Sequence, residues 1–152
     1  MTIRLSTQLR NNLAGATGFA ATFANGYIEV YSGTQPATAD AAVTGTLLGT
    51  ITLASGAFTP GVATNGLTFA AAAGGAVSKS GVWSMNGVAA GTAGWFRLKT
   101  NAEAVGGILS TTLARLDGSV AVSGADMNLS NIVIAIGAPT TVDSFTWTQP
   151  AA

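Results

Sequence analysis

Six acids, Glu29, Asp40, Glu103, Asp117, Asp126 and Asp143, and six bases carry all the formal side-chain charge of this 152-residue sequence, which has no cysteine and no histidine. The missing histidine removes the usual general base, the commonest transition-metal ligand and the usual pH switch. Missing cysteine removes disulfides and thiolate metal sites. Serine–histidine and cysteine–histidine nucleophiles cannot be built. A glycosidase-type pair needs only two carboxylates about 5 to 9 Å apart in space, but the acids are scattered singly. Asp117 and Asp40 fall where a turn and a loop are expected, and acids favour such places for conformational reasons. The expectation is no catalytic residue and no enzyme.

Other constellations are weaker. In "SGADMNLSN", Asp126, Asn128 and Ser130 alternate like the start of a calcium loop, but the glycine and terminal glutamate of that loop are missing. "AAAAGGAVSKS" has glycines and Lys79 without the phosphate-loop pattern. Neither a metal nor a cofactor is expected, and Lys79 reads as a solvated loop residue.

"GTAGWFRLKT" is the densest patch of large and charged side chains. As a strand it puts Trp95, Arg97 and Lys99 on one face and Phe96 and Leu98 on the other. The first face could stack on a sugar or base, form an interface hot spot, or be a strand with Trp95 buried and two basic stems in water. Zero net charge argues against a polyanion and toward protein, because no field gathers nucleic acid. Trp83 and Trp147 lie in alternating apolar runs and are expected in the core.

The elements that position these residues read as all-β with one short helix. Leu5, Leu9 and Leu13 recur at four-residue spacing, Ser6 or Thr7 can cap, and Gly15 can stop the chain, giving a helix over about 5–14. Its apolar stripe docks either on its own domain or on a partner. From residue 26 to 149 the period becomes alternating, as in "YIEVYS", interrupted by the surface loop "GTQPATADAAVTG" and by Gly49, which suggests a bulge. "LTFAAA", "GVWSM", "GWFRLK", "TTLARL", "SVAVSG", "NIVIAI" and "TVDSFTWTQ" are further strands. Asn65-Gly66, Asn86-Gly87 and Asp117-Gly118 read as turns, the last as a tight hairpin. One domain over 1–152 is expected, an antiparallel β-sandwich or jelly roll. Only 8% of residues are charged, against about a quarter typically, so the surface must be largely uncharged and tolerant of close packing between copies. No apolar stretch is long enough for a membrane helix, and "MTIRLSTQLRNNLAG" lacks the order of a signal peptide.

Five blocks, "IRLSTQLRNNL", "GYIEVYSGTQPATADAAVTGTLLGTITL", "GTAGWFRLK", "LDGSVAVSGADMNLSN" and "TVDSFTWTQP", in this order and spacing resemble a family of small tailed-bacteriophage virion proteins, the head decoration or cement proteins. "NIVIAIGAPTTVDSFTWT" departs from the resemblance by opening with a more apolar strand. The resemblance implies an oligomeric β-sandwich, assembled in the bacterial cytoplasm, that sits on the capsid surface and contacts the major capsid protein and copies of itself. On that reading Leu5, Leu9 and Leu13, or Trp95, Arg97 and Lys99, supply the anchors. The competing class is a tail or fibre module that binds a cell-surface glycan, which would need two or more of Tyr27, Tyr31 and Trp95 exposed along one groove.

Overall fold

The computed structural model describes residues 3–151; the expected domain over 1–152 includes three positions, Met1, Thr2 and Ala152, outside them. Eleven strands and two short helices occur in the order β1 (Arg4–Leu5), α1 (Thr7–Ala14), α2 (Phe19–Thr22), β2 (Tyr27–Ser32), β3 (Leu47–Leu53), β4 (Thr68–Phe69), β5 (Ala76–Ser80), β6 (Trp83–Asn86), β7 (Gly91–Lys99), β8 (Arg115–Ala121), β9 (Met127–Leu129), β10 (Val133–Ile134) and β11 (Pro139–Thr148). The all-β class with an N-terminal helix is what forms.

The two-sheet sandwich is not how the strands pair. The ladder runs β8-β7-β2-β3-β6-β11, and β9 then pairs with β11 on one side and with β8 on the other. That closes seven strands into a barrel, and β1, β4, β5 and β10 extend it. Closure comes from β9, a three-residue strand inside the stretch that reads as a polar turn. Full closure leaves the long strands without free edges.

Helix α1 follows its sequence signals. Ser6 caps it, its Oγ accepting from Leu9 N–H at 3.1 Å, and Gly15 ends it. Leu9 is fully buried, while Leu5, in β1 rather than in the helix, and Leu13 are half-buried against the core. The leucine stripe therefore packs on its own chain. Beside it α2 supplies Phe19, stacked on Trp147 with ring centroids 5.1 Å apart. Trp83 packs against Phe69 and Phe145, and Phe96 against Phe145. Trp83 and Trp147 thus belong to the core as expected.

Turns depart from expectation in an instructive way. Asp117-Gly118 is not a hairpin: β8 runs straight through it, with Asp117 opposite Arg97 and Gly118 opposite Phe96. A Cβ on Gly118 would lie 2.7 Å from Cε1 of the Phe96 ring, so the glycine makes room for that ring. The tight hairpin lies instead between Ala73 and Ala76, where Gly74 and Gly75 both take positive φ and join β4 to β5. At Gly49 the expected bulge is present, as the β2–β3 register slips between Val30 and Tyr31. No helix among the described residues is long and apolar enough to cross a membrane.

Candidate functional site

Strands β2, β7 and β8 lie side by side, with β7 in the middle, and alternation gives them two faces. One face carries Ile28, Val30, Phe96, Leu98, Leu116 and Val120 into the apolar core. The pairing register makes the other face a three-by-three grid: Tyr31, Trp95 and Ser119 in one row, Glu29, Arg97 and Asp117 in the next, Tyr27, Lys99 and Arg115 in the third.

Trp95, Arg97 and Lys99 do share this face. It is not, however, a wet or docking face: all three are completely buried. Two loops cover it, residues 33–46 and residues 100–114. Each cation holds a loop carbonyl. Arg97 Nη1 donates to Ala41 O at 2.9 Å, Lys99 Nζ to Ala104 O at 3.1 Å, and Arg115 Nη1 to Ile108 O at 2.8 Å. Tyr27 Oη donates to Glu103 O, and Gly106 N–H donates to Glu29 Oε1, both at 2.7 Å. The loops are also tied to each other, through Val43 N–H to Gly107 O and Ser110 N–H to Asp40 O.

Beneath the loops the charges compensate. Arg97 meets Asp117 through two hydrogen bonds of 2.7 Å; Lys99 Nζ lies 2.8 Å from Glu29 Oε2 and 3.5 Å from Glu103 Oε1; Arg115 Nε lies 2.8 Å from that same Glu103 oxygen. Arg97, Lys99 and Arg115 against Glu29, Glu103 and Asp117 give three charges of each sign, as burial demands. Burial still pushes the carboxyls of Glu103 and Asp117 above their ordinary range, against the pull of Lys99 and Arg115 on the first and of Arg97 on the second. The phenols of Tyr27 and Tyr31 are also driven up, by burial first, then by the Glu29 charge at Tyr27 and by the hydrogen bond to Glu29 at Tyr31.

The aromatics named for a glycan groove are all in this grid. Tyr31 stacks on Trp95 at 4.7 Å, Arg97 lies over the Trp95 ring at 5.5 Å, and neither Tyr27, Tyr31 nor Trp95 reaches the surface. Glu29 and Glu103 converge on Lys99, but inside the protein rather than in an open cleft. Asp126 caps its own turn, accepting from Ser119 N–H and Oγ at 2.8 Å. Lys79 belongs to β5 and not to a loop, with Nζ donating to Gly81 O. Among the described residues no three His, Cys, Asp or Glu side chains come together as a metal site.

With six of twelve charged side chains inside, the exterior keeps only Arg4, Arg10, Lys79, Asp40, Asp126 and Asp143 among the described residues, three of each sign. What stands out on it is apolar. On the covering loop Ile108 and Leu109 are each 72% exposed and Val105 56%, and Val88 on the β6–β7 turn is 60% exposed. Periodicity does not single them out, because "AVGGILS" is short, has no period and follows a polar run; its only signal is three large aliphatics in a stretch with no strand or helix pattern.

No family model, curated protein or solved structure matches this chain.

Proposed function

We propose that the chain is a non-enzymatic structural component of a tailed-phage virion, a decoration or cement protein on the capsid surface. Its partners are the major capsid protein and other copies of itself. The observation that carries this reading is the partition of charge: half of the charged side chains lie inside, holding two loops rigid, and a nearly uncharged exterior is left. Such a surface repels neither its own copies nor a neutral lattice. A rigid loop loses little entropy on docking, and modest contacts repeated over a lattice add up through multivalency. The blocks that resemble head decoration proteins supply the setting.

Add-back tests the proposal directly. Purified protein is mixed with heads assembled without it and sedimented. Saturable co-sedimentation at a fixed stoichiometry, with heads that resist heating better, supports the reading; failure to bind heads over a micromolar range overturns it.

A further inference from the structure

The chain has two lysines; Lys79 is partly exposed on β5 and Lys99 is completely buried. The Lys99 amine sits 2.8 Å from Glu29 Oε2, diagonally across the β2–β7 ladder, in which Glu29 pairs with Arg97 and Lys99 with Tyr27. Both side chains are fully shielded from solvent. An ion pair on the surface is loosened by water and by motion of its long side chains. Here an amine and a carboxyl, the two halves of an amide bond, are held in contact away from water. Positioning of reacting groups in this way is worth effective molarities of about 10⁵–10⁸ M.

The groups around Glu29 are those that acyl chemistry needs. Gly106 N–H donates to Glu29 Oε1 at 2.7 Å, and Tyr31 Oη donates to Oε2 at 2.5 Å. Donors on both oxygens of one carboxyl polarise its carbon, and the backbone N–H is placed to hold the negative charge that develops on Oε1 when a nucleophile adds. A second carboxylate stands on the other side of the amine, with Glu103 Oε1 3.5 Å from Lys99 Nζ, a short movement from proton transfer. Its Oε2 is buried with no hydrogen-bond partner in the chain, which leaves lone pairs free for a proton. Burial also holds the Glu103 carboxyl above its ordinary range, against the pull of Lys99 and Arg115, and so makes it a better proton acceptor. Nucleophile, electrophile, base and oxyanion donors are therefore all within one dry cluster, the arrangement that marks a reactive site.

We infer that Lys99 and Glu29 join in an amide bond inside the folded chain, a self-made cross-link between β2 and β7. Glu103 takes one proton from the Lys99 ammonium, and the freed amine adds to Cδ of Glu29 while Gly106 N–H holds the charge on Oε1. Oε2 then leaves as water, assisted by the Tyr31 hydroxyl. Two of the three ammonium protons depart with that oxygen, the first through Glu103, and the third stays on the amide nitrogen. One C–N bond forms and one C–O bond breaks; nothing is oxidised or reduced, and no co-reactant is needed. The step removes one buried charge of each sign and their desolvation with them. Arg97 and Arg115 then remain against Asp117 and Glu103, so the grid stays balanced. The link is made and read in the isolated chain and does not require a capsid, so its failure and that of the virion reading are separable.

Intact-mass spectrometry of the purified, folded full chain decides it. The wild type should be lighter than its sequence by one water, and a proteolytic digest should give one branched peptide joining Glu29 to Lys99. Lys99→Arg should keep the full mass. Glu103→Gln, which leaves the Lys99–Glu29 contact but removes the proton acceptor, should slow linking about a hundredfold at equal times after synthesis, with circular dichroism confirming that the variant is folded. A folded wild type at full sequence mass overturns the inference whatever the variants do. So does a water loss that the digest maps to an aspartate or to any pair other than Lys99 and Glu29. A folded Glu103→Gln chain that links as fast as the wild type overturns the step as written.

Discussion

Arg97 and Asp117 face each other across the β7–β8 ladder, joined by two 2.7 Å hydrogen bonds with neither side chain exposed. The pair fixes register. A slip of one residue would put Arg97 opposite a core position and drive an unpaired charge into the apolar side. Buried ion pairs add little net stability when intact but are expensive to break by halves. Asp117→Ala should therefore cost about 3–5 kcal/mol in denaturant unfolding, and the double change with Arg97→Met should recover part of that loss. A single change costing under about 1 kcal/mol would mean that the pair is solvated.

Trp95→Ala should destabilise the monomer by about 3–5 kcal/mol, the ordinary cost of emptying a large aromatic site. Its ring is buried against Tyr31 and beneath Arg97. Thermal unfolding of the isolated protein checks this. An unchanged melting temperature would instead put Trp95 on the surface.

The chain contains two tyrosines, and both phenols are driven above their ordinary value of 10.0. The folded state therefore keeps protons that the unfolded chain gives up near pH 10, so stability is undiminished below that pH and falls as pH rises above it. Absorbance at 295 nm should show no phenolate between about pH 9 and 10.5 while the fold persists, then both tyrosines ionising together with unfolding. Gradual ionisation centred near pH 10 in the folded protein would contradict the burial of Tyr27 and Tyr31.

Ser6 serves two elements through one oxygen. Its buried Oγ accepts from Leu9 N–H at 3.1 Å and from Arg115 N–H at 2.9 Å, tying the start of α1 to β8. Ser6→Ala should cost about 1–2 kcal/mol by urea titration, and amide hydrogen exchange should rise at Leu9 and Arg115 together. Faster exchange at Leu9 alone would show that the link to β8 is dispensable.

Gly118→Ala should cost about 1–3 kcal/mol through overpacking, because the added methyl meets the Phe96 ring. If Asp117-Gly118 were a turn tip, alanine there would leave Phe96 untouched. A large ring-current shift of the added methyl, caused by the Phe96 ring beside it, separates the two.

Local pattern is enough for part of this fold. The cap at Ser6, the stop at Gly15, the shared face of Trp95, Arg97 and Lys99 and the core role of Trp83 and Trp147 follow from period and propensity. What the grid faces does not. Alternation says which residues share a side, and a side bearing two cations normally belongs to water. Here two loops cover it, and nothing local in "GTQPATADAAVTG" or "NAEAVGGILS" announces that their carbonyls will meet Arg97, Lys99 and Arg115. Asp117-Gly118 misleads for the same reason: a dipeptide that turns easily also sits in a strand when its aspartate finds an arginine and its glycine a ring. Barrel closure depends on Met127–Leu129, three residues too few to show a period. Val105, Ile108 and Leu109 gain meaning only from the pinned inner side of their loop, which is a matter of tertiary contact.

The most direct test is the copy number of this chain in purified virions, measured by quantitative mass spectrometry against the major capsid protein. A count comparable to the capsid protein is the result the proposed role predicts, since a surface with few charges, carried on loops pinned from beneath, suits repetition over a lattice. A handful of copies per particle would place the chain at the neck, tail or fibre, and its absence from virions would contradict the structural role altogether.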